Sequence, residues 1–468
     1  MIAKRVIWNL IFFLCFSLNG ICQINITMPL ERSVFQRVNN KATIQIGGTT
    51  ESFLSHIQVK LNVINGGIPV DWVSVNSNVE PGNFRCQLQN VEAGWYQMEI
   101  LGLLNGVIIA YDVVEKVGVG EVFLIAGQSN AQGGRYPHSE FSTQIYYGAQ
   151  DDRVNGINYF TNDPNVIYPM PEIGKIMPIT DLAPTGKASW CWALLGDQIA
   201  TNWNVPVLFF NTAIESTSME FWSVSANNLN SPYIYLKKSF DYYNKIFGVR
   251  ALLWHQGESD AYGNNFDSSP QIKINFENDF INLISKSREH LGGNLSWVIA
   301  RVSRVAYDSV TPSLIDSQQN IALNYPNCFL GPSTDEIQPN LGDRDGELHF
   351  RGTGFIDLAN AWFNSINNAN FINNSIPIAG TNNLQVVDNQ FVFGNSIAPC
   401  AGINQTITSG DWLSPSIWSC GTVPNSLNEI TINEGHTVTI NNKTVYVKNL
   451  TINGTVNIEN NGNIVLVD

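Results

Sequence analysis

Positive charge is scarce in this chain: 25 Lys and Arg stand against 39 Asp and Glu over 468 residues, a net charge of −14. A surface of that sign repels a phosphate backbone over most of its area, so nucleic acid is excluded as a natural partner while a neutral sugar polymer meets no such barrier. Long apolar runs are missing beyond the first 22 residues, so no later segment is expected to cross a membrane as a helix. Histidine is rare, with six residues, and none opens a His-Glu-x-x-His spacing. His255, Glu258 and Asp260 lie close in sequence but bring no further ligand at short spacing, so no metal is expected there.

Cysteine is sparse and odd in number, seven in all. Cys15 and Cys22 fall in or beside the first apolar stretch, and Cys86, Cys191, Cys328, Cys400 and Cys420 cannot all pair with one another. Cys400 and Cys420 bracket a small segment and form the expected disulfide, whereas Cys191 and Cys328 read as buried thiols.

What is present begins with Lys4 and Arg5, an apolar stretch from Val6 to Leu18, and small or polar residues before Gln23. That is the order of a secretory signal peptide over residues 1–22, which makes the mature chain an exported protein, secreted or at the cell surface. A membrane anchor is the alternative, but the stretch is short for a span of about 20 residues. A lipidated Cys22 is a further alternative, disfavoured by Ile21 before it. With 44% apolar and 14% charged residues, the remainder is globular in composition and long enough for two to four domains.

Residues 23–117 carry short alternating runs, such as Ala42 to Ile46, His56 to Val63 and Trp95 to Ile100, between Gly-Gly, Pro-Gly and Asn-Gly turns, which predicts a β-sandwich. From 118 to 372 strands alternate with helices. Expected strands are Val122 to Ala126, Val205 to Phe210, Ala251 to Trp254, Trp297 to Ala300 and Cys328 to Gly331. Expected helices lie within Trp190 to Trp203, Tyr233 to Phe247, Ile272 to His290 and Leu314 to Asn324. The alternation predicts an α/β fold, a parallel sheet covered by helices on both faces, with ligands beyond the carboxyl ends of the strands. Residues 373–407 read as a linker. Residues 408–468 iterate Thr-Ile-Asn and related short strands with asparagine corners, a β-helix-like or compact β module.

The chemistry concentrates in the middle segment. In Glu121-Val-Phe-Leu-Ile-Ala-Gly-Gln-Ser129-Asn130 a charge-free apolar run, too short for a helix, ends at a glycine and a serine. A serine at a helix start is most often a cap. With a base beside it, the same hydroxyl becomes a nucleophile. His349, in Leu348-His349-Phe350, is the candidate base, and a serine after a strand with a distant histidine suggests a hydrolase pair brought together by folding.

Gly127-Gln128-Ser129-Asn130, Trp254-His255-Gln256-Gly257-Glu258-Ser259-Asp260 and the His349-Phe350 block, in that order, resemble the sialate O-acetylesterase and acetylxylan esterase branch of the SGNH hydrolases, over roughly residues 118 to 366. The resemblance implies a three-layer α/β/α SGNH-type domain and a serine esterase that removes O-acetyl groups from a glycan (sialic acid, xylan or a pectic sugar) without a cofactor. It implies Ser129 as nucleophile and His349 as base, with the Ser129 N–H, the Gln256 side chain and a backbone N–H from Ser216 as the oxyanion hole. Asn130, Trp222 and His255 are expected to meet the substrate, and Trp190 and Trp192 could stack on sugar or belong to the core.

Two departures accompany the resemblance. The family places an aspartate three residues before the histidine, where this chain has Gly346; Asp345 and then Glu258 are the candidates for the third member. The family's Gly-Gly-Thr stretch appears as Glu215-Ser216-Thr217, with both glycines lost. A non-catalytic glycan-binding or surface-display protein that keeps the fold is the competing reading. A lipid or aryl esterase would carry a Gly-Asp-Ser block, which is absent.

Overall fold

The computed structural model describes residues 24–134, 146–166, 168–265, 269–305, 310–337, 343–345, 348–381, 384–387, 390–393, 404–414, 417–419, 423–424, 429–441, 444–460 and 462–466. The expected signal peptide and both cysteines of the expected disulfide, Cys400 and Cys420, lie outside the described residues. Cys191 and Cys328 are buried free thiols, and Cys86 is a half-buried one.

The centre is a sheet in the order Ile173–Lys175, Val154–Ile157, Val207–Asn211, Val107–Gly127, Ala251–His255, Trp297–Arg301, Cys328–Ser333. Every neighbouring pair is parallel except the antiparallel edge strand Ile173–Lys175. The central strands are buried on both faces, as their unbroken apolar runs require. Consecutive residues of a strand point to opposite faces. Trp254 packs on Phe280 of the helix Pro270–Leu291, and His255 packs on Trp362 of the helix Thr353–Ile366, so helices cover the sheet on both sides. Trp192–Trp203 joins the Thr353–Ile366 side through Trp192 and Trp362, and Pro312–Asn324 packs beside Pro270–Leu291. The resulting architecture is α/β, helix on sheet on helix.

No break marks the expected boundary at 117 and 118. Val107–Gly127 is one strand, paired antiparallel with Gly94–Leu104 in its first part and parallel with Val207–Asn211 and Ala251–His255 in its last. Ser33–Gln36 pairs with its middle, at Val117 to Gly120. The junction is fixed by the buried Glu121 carboxylate, which accepts from Arg37 Nε at 2.8 Å and Gln36 Nε2 at 2.9 Å, while Gln36 Oε1 accepts the Val122 N–H. A second N-terminal sheet, Ile24–Met28, Lys41–Thr50 and Gly82–Glu92, shares the same hydrophobic core.

Within the stretch expected as a linker, Leu384–Val387 and Gln390–Phe393 pair as an antiparallel hairpin. Beyond it, Glu429–Ile432, Thr437–Asn441 and Thr444–Val447 each stack in parallel on a strand one rung further along the chain. Ile430, Ile432, Val438 and Ile440 alternate inward there and close a separate core with Trp412 and Trp418.

Candidate active site

Val122 to Ala126 are wholly buried, and the chain leaves the sheet at Gly127 with φ of 129°, a conformation that an L side chain rarely adopts. A Cβ on Gly127 would lie 2.0 Å from the His255 carbonyl oxygen, the same oxygen that accepts the Gln128 N–H at 3.0 Å. Glycine is therefore required for the strand that ends before Ser129 to run beside Ala251–His255. Ser129 opens the short helix Ser129–Gln132, where its N–H has no intrahelical acceptor.

His349 Nε2 stands 3.0 Å from Ser129 Oγ, joining residues 220 positions apart. Asp345 lies opposite His349 in the backbone register of the two-residue ladder Arg344–Asp345 with His349–Phe350. Gly346 and Glu347 fall outside the described residues.

The loop that carries His349 is held from two directions. Asn130 Nδ2 donates to the Leu348 carbonyl at 3.1 Å and to Glu258 Oε1 at 2.8 Å, and Asn130 Oδ1 accepts the Phe350 N–H at 3.3 Å. Arg344 Nη1 donates to the same Leu348 carbonyl at 2.7 Å, and its guanidinium lies 4.0 Å from the centre of the Phe350 ring. Asn130, expected at the substrate, is instead wholly buried and spends its amide bracing the histidine loop. Arg344 has the same bracing role, which the sequence reading missed. Its signal was an arginine five residues before the histidine, indistinguishable there from a surface charge.

Burial dominates the electrostatics. It pushes Glu258 up to about 7, with the Asn130 hydrogen bond opposing, and leaves Glu258 Oε2 without a partner among the described residues. It pulls His255 down to about 3, with Arg344 adding to the effect, so His255 is a neutral imidazole. His255 Nε2 is 3.4 Å from Thr334 Oγ1 and 3.7 Å from Glu258 Oε1, and the ring is wholly buried. His255 is therefore packed behind the site. Among the described residues, no group of three His, Cys, Asp or Glu side chains is disposed to hold a metal ion.

A pocket of about 580 Å³ opens over the pair, lined by Gln128, Ser129, Glu215, Ser216, Glu258, Ser259, Tyr262, Val305, Leu348 and His349. Gln256 is not in its wall. The Gln256 side chain is wholly buried, and its Nε2 donates to the Thr217 carbonyl at 3.0 Å and to Asp260 Oδ2, with Gln128 Oε1 at 3.4 Å. An amide nitrogen has two hydrogens, and these acceptors use both, so Gln256 has no donor left for the pocket. Trp222 is also buried, donating from Nε1 to Thr217 Oγ1 at 2.8 Å and packing on Trp254. Trp190 and Trp192 are core as well, against Phe355 and Trp362. Ser216 does reach the pocket, with φ of 60°, the left-handed conformation for which a glycine is better suited. Glu215 turns its carboxylate to Lys187 Nζ at 2.8 Å.

A serine hydroxyl held on an imidazole at the carboxyl end of a parallel sheet is the arrangement of a serine-type hydrolase. The chain belongs to the family of carbohydrate esterases described as sialic acid-specific acetylesterases, which matches residues 119–367, more than half of its length; it is a carboxylic ester hydrolase, of a family acting on acetylated sugars. Similar solved structures include a carbohydrate acetylesterase from Xanthomonas citri, with 17% identity and a TM-score of 0.44 over 73% of this chain and 74% of that one. A protein from Arabidopsis thaliana has 13% identity and a TM-score of 0.38 over 55% of this chain and 99% of that one. The psychrotrophic esterase EstA from a Pseudoalteromonas species has 13% identity and a TM-score of 0.32 over 54% of this chain and 100% of that one. No curated protein sequence matches the chain.

Proposed function

We propose that the protein is an exported serine esterase that removes O-acetyl groups from a glycan through a covalent acetyl-enzyme. The observation that carries this reading is the 3.0 Å contact between Ser129 Oγ and His349 Nε2 at the floor of an open pocket. His349 Nε2 takes the Ser129 proton as Oγ attacks the acetyl carbonyl, then gives it to the departing sugar oxygen; water repeats the sequence to release acetate. The N–H groups of Ser129 and Ser216 are the backbone donors for the oxyanion.

For Nε2 to accept a proton, the ring must carry its own on Nδ1, which calls for an acceptor there. Asp345 is the proposed acceptor, supported by its register opposite His349. Glu258 ranks second, because its described hydrogen bond goes to Asn130. Export rests on the leader-like residues 1–22, and the C-terminal strands offer a means of association with the cell surface. Sialic acid, xylan and pectic sugars all remain substrates of this description.

The test is hydrolysis of p-nitrophenyl acetate by the wild type and by Ser129→Ala, followed by acetate release from a panel of acetylated glycans. Turnover retained in Ser129→Ala at unchanged thermal stability rejects the assignment.

A further inference from the structure

Gln128 precedes the nucleophile, is 3% exposed, and still lines the pocket. Its Oε1 accepts the backbone N–H of Ser259 at 3.0 Å and of Gly257 at 3.3 Å, besides facing Gln256 Nε2 at 3.4 Å. Backbone N–H groups can only donate, so the side-chain amide has one possible orientation: oxygen to the 257–259 turn, nitrogen away from it. No described residue accepts from Gln128 Nε2, and that atom is absent from the buried groups that lack a partner, so its hydrogens face accessible space in a pocket whose wall includes Ser129. The chain from Gln128 Oε1 through Gln256 Nε2 to the Thr217 carbonyl sets this amide beside the segment that carries Ser216.

We propose that Gln128 Nε2 is a side-chain donor to the acetyl carbonyl oxygen as it becomes an oxyanion, alongside the N–H groups of Ser129 and Ser216. The inference rests on the serine esterase reading. As Ser129 Oγ bonds to the acetyl carbon, the carbonyl π pair moves to oxygen; the Gln128 N–H stays intact and donates to that oxygen, and the bond relaxes when the pair returns and the sugar oxygen leaves. Gln256 is held as the brace that keeps Gln128 in this orientation.

The test compares full-length wild type with Gln128→Glu, which keeps an oxygen for the N–H groups of Gly257 and Ser259 and replaces the donor. On p-nitrophenyl acetate and on an acetylated sugar, kcat is expected to fall roughly 10²–10³-fold with KM little changed, as for loss of an oxyanion donor. The activity of Gln128→Glu relative to wild type should rise as pH falls, because a protonated Glu regains an O–H donor. Gln128→Met, lacking both acceptor and donor, should lose kcat similarly and also show a lower Tm. A Gln128→Glu enzyme whose kcat stays within about threefold of wild type overturns the proposal, and so does a loss confined to KM on the sugar. Labelling of Ser129 by a fluorophosphonate is read in parallel: a wild type neither labelled nor active would sink the serine esterase reading itself, and Gln128's role with it. A labelled, active wild type beside an unaffected variant sinks only the latter.

Discussion

Asn130 and Glu258 are joined by a 2.8 Å hydrogen bond from Asn130 Nδ2 to Glu258 Oε1, with both side chains out of solvent. Through it the turn that carries Ser129 is tied to the turn that follows Ala251–His255, and the other contacts of Asn130 extend the tie to Leu348 and Phe350 on either side of His349. The spacing of Ser129 and His349 is thus braced by the Asn130 side chain, which hydrogen-bonds to neither of theirs.

Asn130→Ala removes three hydrogen bonds at once and leaves the Glu258 carboxyl and the Phe350 N–H without this partner. A buried polar group left unpaired costs about 1–3 kcal/mol, so a lower Tm is expected. Misplacement of His349 by about 1 Å should also cost on the order of 10²-fold in kcat. Calorimetry and p-nitrophenyl acetate kinetics on the same preparation measure both. An enzyme with wild-type kcat would show that the His349 loop is held without Asn130.

The pH dependence of stability contains two opposed contributions. Glu258 binds its proton more tightly when folded, at about 7 against an ordinary 4.5, so it contributes stability at low pH that is lost as pH rises through about 7. His255, held at about 3 against 6.5, contributes stability at high pH that is lost as pH falls from 6.5 towards 3. Between 4.5 and 6.5 the two slopes offset each other. Glu258→Gln removes the first and keeps the second, so from about pH 5 to about pH 7 its Tm should climb with pH more steeply than that of the wild type. Asp260, also raised, is common to both proteins and drops out of the comparison. Parallel Tm curves would mean that Glu258 is ionised in the folded protein throughout that range.

The strands that position the site were legible because a strand buried on both faces has to be apolar throughout: Val122 to Ala126, Ala251 to Trp254 and Trp297 to Ala300 fall within observed strands. Val154–Ile157 was not legible, since Asn155 and Gly156 interrupt so short a run. Ser129 and His349 stood out through their motifs, but a motif does not say which way a side chain faces. Asn130, His255, Gln256 and Trp222 were expected at the substrate or the oxyanion and are packed beneath it. The two glutamines illustrate the reason. Gln128 and Gln256 are equivalent as donors in sequence, and only the backbone N–H groups of Gly257 and Ser259, donating to Gln128 Oε1, decide that Gln128 turns its nitrogen to the pocket.

The C-terminal strands close their own core around Trp412, Trp418, Ile432 and Ile440, separate from the core beneath Ser129. A chain ending near residue 400 should therefore hydrolyse p-nitrophenyl acetate with unchanged kcat and KM. Loss of soluble, active protein on truncation would show that this module supports the catalytic sheet.

The partner of His349 gives the widest separation of outcomes. Asp345 sits opposite His349 in backbone register, whereas the described hydrogen bond of Glu258 runs to Asn130. A carboxylate that fixes the imidazole tautomer costs about 10⁴ in kcat when it becomes an amide, because the ring proton moves to the nitrogen that should accept from serine. Asp345→Asn is expected to approach that loss with KM preserved. Glu258→Gln keeps an oxygen for Asn130 Nδ2 and should lose far less. Comparing kcat for the two variants on one small ester decides between them: a severe Glu258→Gln beside a mild Asp345→Asn exchanges the roles, and two mild variants would leave Ser129 and His349 working as a dyad.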